Sequence, residues 1–255
     1  MSTNNFKRVF VWEMPVRVFH WITVATVTAL AITGFIIANP PAIQSSVEAT
    51  NSYWFGIVRY IHFLSAYLFF VNMIMRIYWS FAGNKFAHWS NFWPFSKKRL
   101  KNVMHVLKVD VLLMNEDEHD LTNLSVGHNA VAGFSYAILF LLALVQVFTG
   151  FGLYSDMAGW WFPKMFAWVV PALGGDFAAR SWHHITMWIM IVFVMIHVYL
   201  VFFHDWLEGR GETSSMISGY KFVRKERIQD HESITEQAIR AIDKLEKKEE
   251  LENQK

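Results

Sequence analysis

Apolar positions fall in four long blocks with polar stretches between them. They run from Val16 to Ala38, Trp54 to Phe81, His128 to Tyr154 and Arg180 to Trp206. A helix rises 1.5 Å per residue, so about 20 apolar residues cross a hydrocarbon core about 30 Å thick. Each block therefore predicts one transmembrane helix, at about 16–38, 54–81, 128–154 and 180–206. The first ends at Asn39-Pro40-Pro41, where the prolines stop it. The 82–127 connection begins basic and aromatic and ends acidic. In it Leu100, Val103, Leu107, Val111 and Met114 have the spacing of a surface-lying amphipathic helix. Residues 155–179 are rich in Trp but broken by Pro and Gly, which predicts an interfacial hairpin or short helix. The chain thus divides into an N-terminal segment at 1–15, a membrane domain at 16–206 and a polar tail at 207–255, within which 231–250 predicts a charged, solvated helix.

Composition supports the membrane class: of 255 residues 54% are hydrophobic and only 17% charged, too apolar for an ordinary soluble domain. The distribution of Lys and Arg sets an orientation. The first 17 residues carry three, the 82–127 loop six and the tail from 207 ten, whereas 40–53 carries none and 155–179 only Lys164. By the positive-inside rule both termini are cytoplasmic and the two poorly charged loops lie outside. The first block follows an ordinary polar start and is long for a cleavable signal, so it is expected to stay as an anchor. There is no Cys, which excludes disulfides, iron–sulfur clusters held by the chain's own thiolates and thioether-linked haem.

Imidazole is rare in hydrocarbon and marks a functional site by default. The fourth block carries His183, His184 and His197, with His204 at its end. At 100° per residue His183 and His197 are offset by about 40° and lie on one face, about 21 Å apart along the axis, whereas His184 points nearly opposite to His197. Topology then gives every histidine a depth. His62 in the second block and His183 fall at an outer level; His20 in the first block and His197 fall at an inner level. Two imidazole pairs, each bridging two helices, form the ligand set that a b-type haem needs. Zinc would want three or four ligands at one point, a convergence absent from this pattern. The four-helix bundle is therefore expected to hold two b haems, with iron ligated by His62/His183 and His20/His197.

Arg59 and Arg180 open the second and fourth blocks at the outer edge, placed to pair with haem propionates. Arg17 and Arg76 take comparable inner positions. His128, His204 and Asp205 join Arg17 as candidates for an inner quinone or proton site. Gly34, Gly133, Gly150 and Gly152 permit close approach of a helix or a flat macrocycle. His88, His105, His119 and His231 lie in polar segments and are expected at the surface. A transporter or proton channel built on intramembrane histidines is the rival class, but the blocks contain no acidic relay and no paired broken helices.

The run Arg17-Val18-Phe19-His20-Trp21, with Thr33-Gly34 further on, resembles the first signature of the b-type cytochrome subunits of membrane-bound nickel–iron uptake hydrogenases. Arg180-Ser181-Trp182-His183-His184-Ile185, continuing to Trp188, Phe193 and His197, resembles their second. That family is similar in architecture to the cytochrome subunit of respiratory formate dehydrogenase, the alternative identity, with some other respiratory oxidoreductase as a further possibility. The resemblance implies a multi-pass subunit of the bacterial cytoplasmic (inner) membrane. It implies periplasmic partners: an iron–sulfur small subunit and a nickel–iron large subunit where the hydrogen chemistry resides. Electrons would enter at the outer haem, reach the inner one and reduce a membrane quinone. Docking would fall on the outer loops, and no nucleic acid is involved.

Overall fold

A computed structural model describes residues 6–41, 52–84, 87–88, 130–208 and 211–224. The surface helix expected at 100–114, the charged helix at 231–250, and His105, His119, His128 and His231 lie outside these residues.

Among the described residues there are four long helices: α1 (Met14–Ala38), α2 (Trp54–Ala82), α3 (Ala130–Tyr154) and, after two short turns of helix, α6 (Asp176–Glu208). All four are long and apolar enough to cross a membrane. Their boundaries lie within four residues of the sequence expectation, the largest shift being at the start of α6, since Asp176, Phe177, Ala178 and Ala179 are helical. The reason is local. Gly174 and Gly175 both adopt positive φ, 95° and 110°, and turn the chain so that Asp176 begins the helix, where an acidic residue suits the N-terminal dipole. At the start of α1, Pro15 occupies the first turn, where its missing N–H costs nothing.

Much of the apolar surface of the spans faces outward: Ile32, Leu68, Val71, Val192 and Met195 are all more than half exposed. Lipid explains a surface that water would penalise. The internal core is small, with Phe69 and Met73 of α2 packed against Ala143, Val147 and Phe151 of α3. α1 packs along α2, and α3 along α6. The bundle is therefore two antiparallel helix pairs joined by a thin seam. Asn72 ties α1 to α2 by donating to the Phe19 carbonyl at 3.0 Å and to Thr23 Oγ1 at 2.8 Å.

The 155–179 segment folds as a single 3₁₀ turn, Ser155–Met157, then α4 (Trp161–Lys164) and α5 (Val169–Ala172). Phe162 meets Phe151 edge-on and Phe166 lies tilted against it, closing the far end of the bundle. The opposite, near end has a cap that the apolar pattern did not suggest. β1 (Phe6–Phe10) pairs antiparallel with β2 (Tyr220–Arg224), with Arg8 opposite Phe222. A helix, α7 (Glu212–Ser218), precedes β2. Val11, Trp12 and Val16 form a small buried cluster there with Ala87. Glu13 accepts from Trp79 Nε1 at 3.0 Å and from the Asn84 amide at 2.9 Å, which fixes the near ends of α1 and α2 together.

Candidate functional site

The helix packing brings the four expected histidines together in two pairs. His62 on α2 lies close enough to His183 on α6 to act on it electrostatically, and His197 on α6 acts likewise on His20 of α1. The antiparallel contact of α1 with α6 is seen directly where Phe35 meets Trp188, ring centroids 5.1 Å apart. His183 and His197 share one face of α6, and His184 is exposed on another. Its nearest ring is Trp188 on its own helix, at 6.5 Å.

The far pair, His62 and His183, is embedded in hydrogen bonds. His62 Nδ1 lies 2.9 Å from Thr33 Oγ1 on α1, and His183 Nδ1 lies 2.8 Å from Thr149 Oγ1 on α3. Gln146 donates to the His183 carbonyl at 2.8 Å, holding the same turn of α6 against α3. Each threonine is followed by glycine. A Cβ on Gly150 would stand 3.2 Å from His183 Cε1, tighter than ordinary packing, so a larger residue there would push the ring by a few tenths of an ångström. A Cβ on Gly34 would meet His62 Cε1 at 3.5 Å and Met187 Sδ at 3.6 Å, ordinary contacts.

The near pair sits in aromatic surroundings. His20 meets Trp21 edge-on at 5.5 Å, and His197 lies parallel to Phe193 at 6.0 Å and 5°. Trp21 in turn donates through Nε1 to the Met216 carbonyl of α7 at 3.1 Å.

A haem requires one nitrogen from each side of a planar ring and no third protein donor. The residues present fit that requirement. At each level one imidazole comes from α6 and one from the α1–α2 pair. At the far level a threonine hydroxyl stands within hydrogen-bond distance of Nδ1 on both rings, so Nε2 is the nitrogen that would meet a haem iron. Among the described residues no three His, Cys, Asp or Glu side chains converge as zinc would need.

The remaining candidates have visible occupations. Arg17 donates from Nη1 to the Ile217 carbonyl, at the C-terminal end of α7. Asp205 accepts from the backbone amide and hydroxyl of Thr213, in the first turn of α7. Together they hold α7 at both ends with charges of the sign its dipole favours. Arg180 forms an exposed ion pair with Asp176, 2.6 Å, and Arg59 donates to Met157 Sδ at 2.8 Å. Arg76 lies over the Tyr136 ring at 5.4 Å, inside the bundle. The His204 side chain lies outside the described ones. Thr33 and Thr149 were missed as partners of histidine; a Thr-Gly dipeptide within two separate apolar blocks was the available signal.

Residues 11–219 match the family model described as prokaryotic cytochrome b561. The chain is 36% identical over 224 residues to a probable Ni/Fe-hydrogenase B-type cytochrome subunit of Cupriavidus necator, covering 86% of this chain and 89% of that protein. A protein of the same description from Rhizobium leguminosarum is 34% identical over 221 residues, 85% and 90% of the two chains. A probable Ni/Fe-hydrogenase 1 B-type cytochrome subunit of Escherichia coli K12 is 31% identical over 237 residues, 91% and 98%.

Proposed function

We propose, from the premise that this chain belongs to the prokaryotic cytochrome b561 family, that it is the di-haem membrane subunit of a nickel–iron hydrogenase. In this role it anchors the enzyme at the periplasmic face of the inner membrane and connects its iron–sulfur subunit to a quinone. The observation that carries the proposal is that His62 is an electrostatic neighbour of His183, and His197 of His20, with His183 and His197 about 21 Å apart along α6. The relatives' names favour hydrogenase over formate dehydrogenase as the partner.

Haem b, when bound, accepts and releases single electrons at its iron. The protein supplies everything else. His62 and His183 hold the far site, His20 and His197 the near site. α6 spans both, so one rigid helix fixes their separation. Phe35 and Trp188 join α1 to α6 beside the far level, where Met187 lies against Gly34. With both termini cytoplasmic, the far end faces the periplasm. Tyr53, Trp161, Trp168 and Phe177 are exposed there as the docking surface for the small subunit. Arg59 and Arg180 stand at that end as propionate partners, Arg180 by exchanging its exposed and weakly held Asp176. Quinone reduction falls at the near end beside His20 and His197, with His128 and His204 as proton carriers. Arg17 and Asp205 contribute there by holding α7 in place.

The test is haem content per chain with a reduced-minus-oxidised spectrum of the purified complex. Two b haems per chain are expected. A preparation that carries the hydrogenase subunits but shows no b-type bands would sink the proposal.

A further inference from the structure

The two far histidines are held identically by two different helices. We propose that Thr33 and Thr149 are positioning residues that lock His62 and His183 as Nδ1–H tautomers, leaving Nε2 as the ligand atom. The inference rests on the assignment of this pair to one b haem.

The hydroxyl proton decides the matter. Thr33 Oγ1 lies 2.6 Å from the Ala29 carbonyl, and Thr149 Oγ1 lies 2.6 Å from the Val145 carbonyl. A carbonyl oxygen only accepts, so each hydroxyl spends its one proton on its own helix. Toward the imidazole the threonine oxygen can then only accept. His62 Nδ1 at 2.9 Å and His183 Nδ1 at 2.8 Å must therefore donate. A ligating imidazole is neutral and carries a single ring proton, so Nε2 is bare in both rings.

Back-bonding alone would not single these residues out. Thr23 and Thr26 donate to Phe19 and Ile22 in the same way, at 2.9 and 2.7 Å, and touch no histidine. Thr33 and Thr149 differ in two respects: a second contact to an imidazole and a following glycine against the ring. Both are also buried, 6% and 2% exposed. Water cannot substitute for them. An Nδ1–H donated to a fixed oxygen orients the ring and strengthens Nε2 as an electron donor, which favours the oxidised metal. Among the described residues no hydrogen bond reaches His20 or His197, whose ring neighbours are Trp21 and Phe193. Among the described residues the device therefore acts at the far level alone.

The experiment is a redox titration of the b-type absorbance in the purified complex, paired with haem content and low-temperature electron paramagnetic resonance. Thr33→Val and Thr149→Val keep the side-chain shape and delete the acceptor. Each is expected to shift one of two potential waves positive and leave the other in place. The double variant should shift it further, and Thr33→Ser and Thr149→Ser should restore it. Loss of one haem in a Val variant but not in its Ser counterpart would equally support the hydroxyl's role. Unmoved waves, equal movement of both waves, or Ser variants indistinguishable from Val variants would overturn it. His62→Ala and His183→Ala serve as the control for the underlying assignment. If both waves survive there, the haem assignment itself falls, and the inference with it. If one wave is lost there but stays fixed in the threonine variants, only the inference falls.

Discussion

The far and near histidine pairs use the same side chain for what we propose is the same task, yet the protein secures them by different means. At the far level each ring is held within an antiparallel helix pair, His62 by Thr33 and His183 by Thr149, through hydrogen bonds of 2.9 and 2.8 Å. At the near level the rings lean on Trp21 and Phe193, and Trp21 is itself tied to α7 after the last span. The far level is thus fixed by contacts that form as soon as each pair of helices closes. The near level also depends on chain-distant segments, β1 and α7–β2, meeting over the end of the bundle. On the function proposed above, electron entry from a rigid partner would favour the first arrangement, and exchange with a diffusing quinone would tolerate the second.

The largest expected effect tests the separation of the levels. His183→Ala should remove one b haem per chain and leave the other. Hydrogen-dependent quinone reduction should be lost, while hydrogen oxidation with an artificial acceptor survives at the partner subunits. Loss of both haems would break the comparison by making the levels one unit.

Next in size is a contrast between the two glycines. Gly150→Ala forces a methyl to 3.2 Å from His183 Cε1, whereas Gly34→Ala places one at an ordinary 3.5 Å from His62. Haem occupancy at the far level should fall clearly in the first variant and little in the second, read as haem per chain. Equal losses would show that crowding of the macrocycle, not of the histidine ring, sets the requirement.

A smaller effect is expected at Asn72, which joins α2 to α1 beside the near level. Removing buried interhelical hydrogen bonds in a membrane costs about 0.6–2 kcal/mol. Asn72→Ala should lower the thermal midpoint of the detergent-solubilised subunit by a few degrees and broaden the near haem's resonance, with the far one unchanged. The smallest effect belongs to His184→Ala. With His184 exposed and off the ligand face, both haems and quinone reduction should be retained; a lost haem would refute the assignment by helix face.

Most of the membrane architecture was legible from the order of residues. Four apolar blocks became four helices, since a bilayer demands about 20 apolar residues per crossing and satisfies no exposed backbone. The 14-residue interval between His183 and His197 placed both on one face of α6 because helical periodicity is a local property. The near-end cap was not legible. Phe6–Phe10 and Tyr220–Arg224 are short mixed strands more than two hundred residues apart, and neither has an apolar pattern of its own. Arg17 and Asp205 read as free charges near a site, although each contacts α7.

The sequence by itself determined the four spans seen among the described residues and the face of α6 that His183 and His197 share, because hydrophobic length and helical period are counted along one chain. Only the tertiary structure decided which nitrogen of His62 and His183 meets a threonine and why a glycine stands beside each ring. Thr33 and His62 are 29 residues apart, Thr149 and His183 34, and no local rule couples residues at those distances. Their contact exists because antiparallel packing brings one turn of α1 against α2 and one turn of α3 against α6.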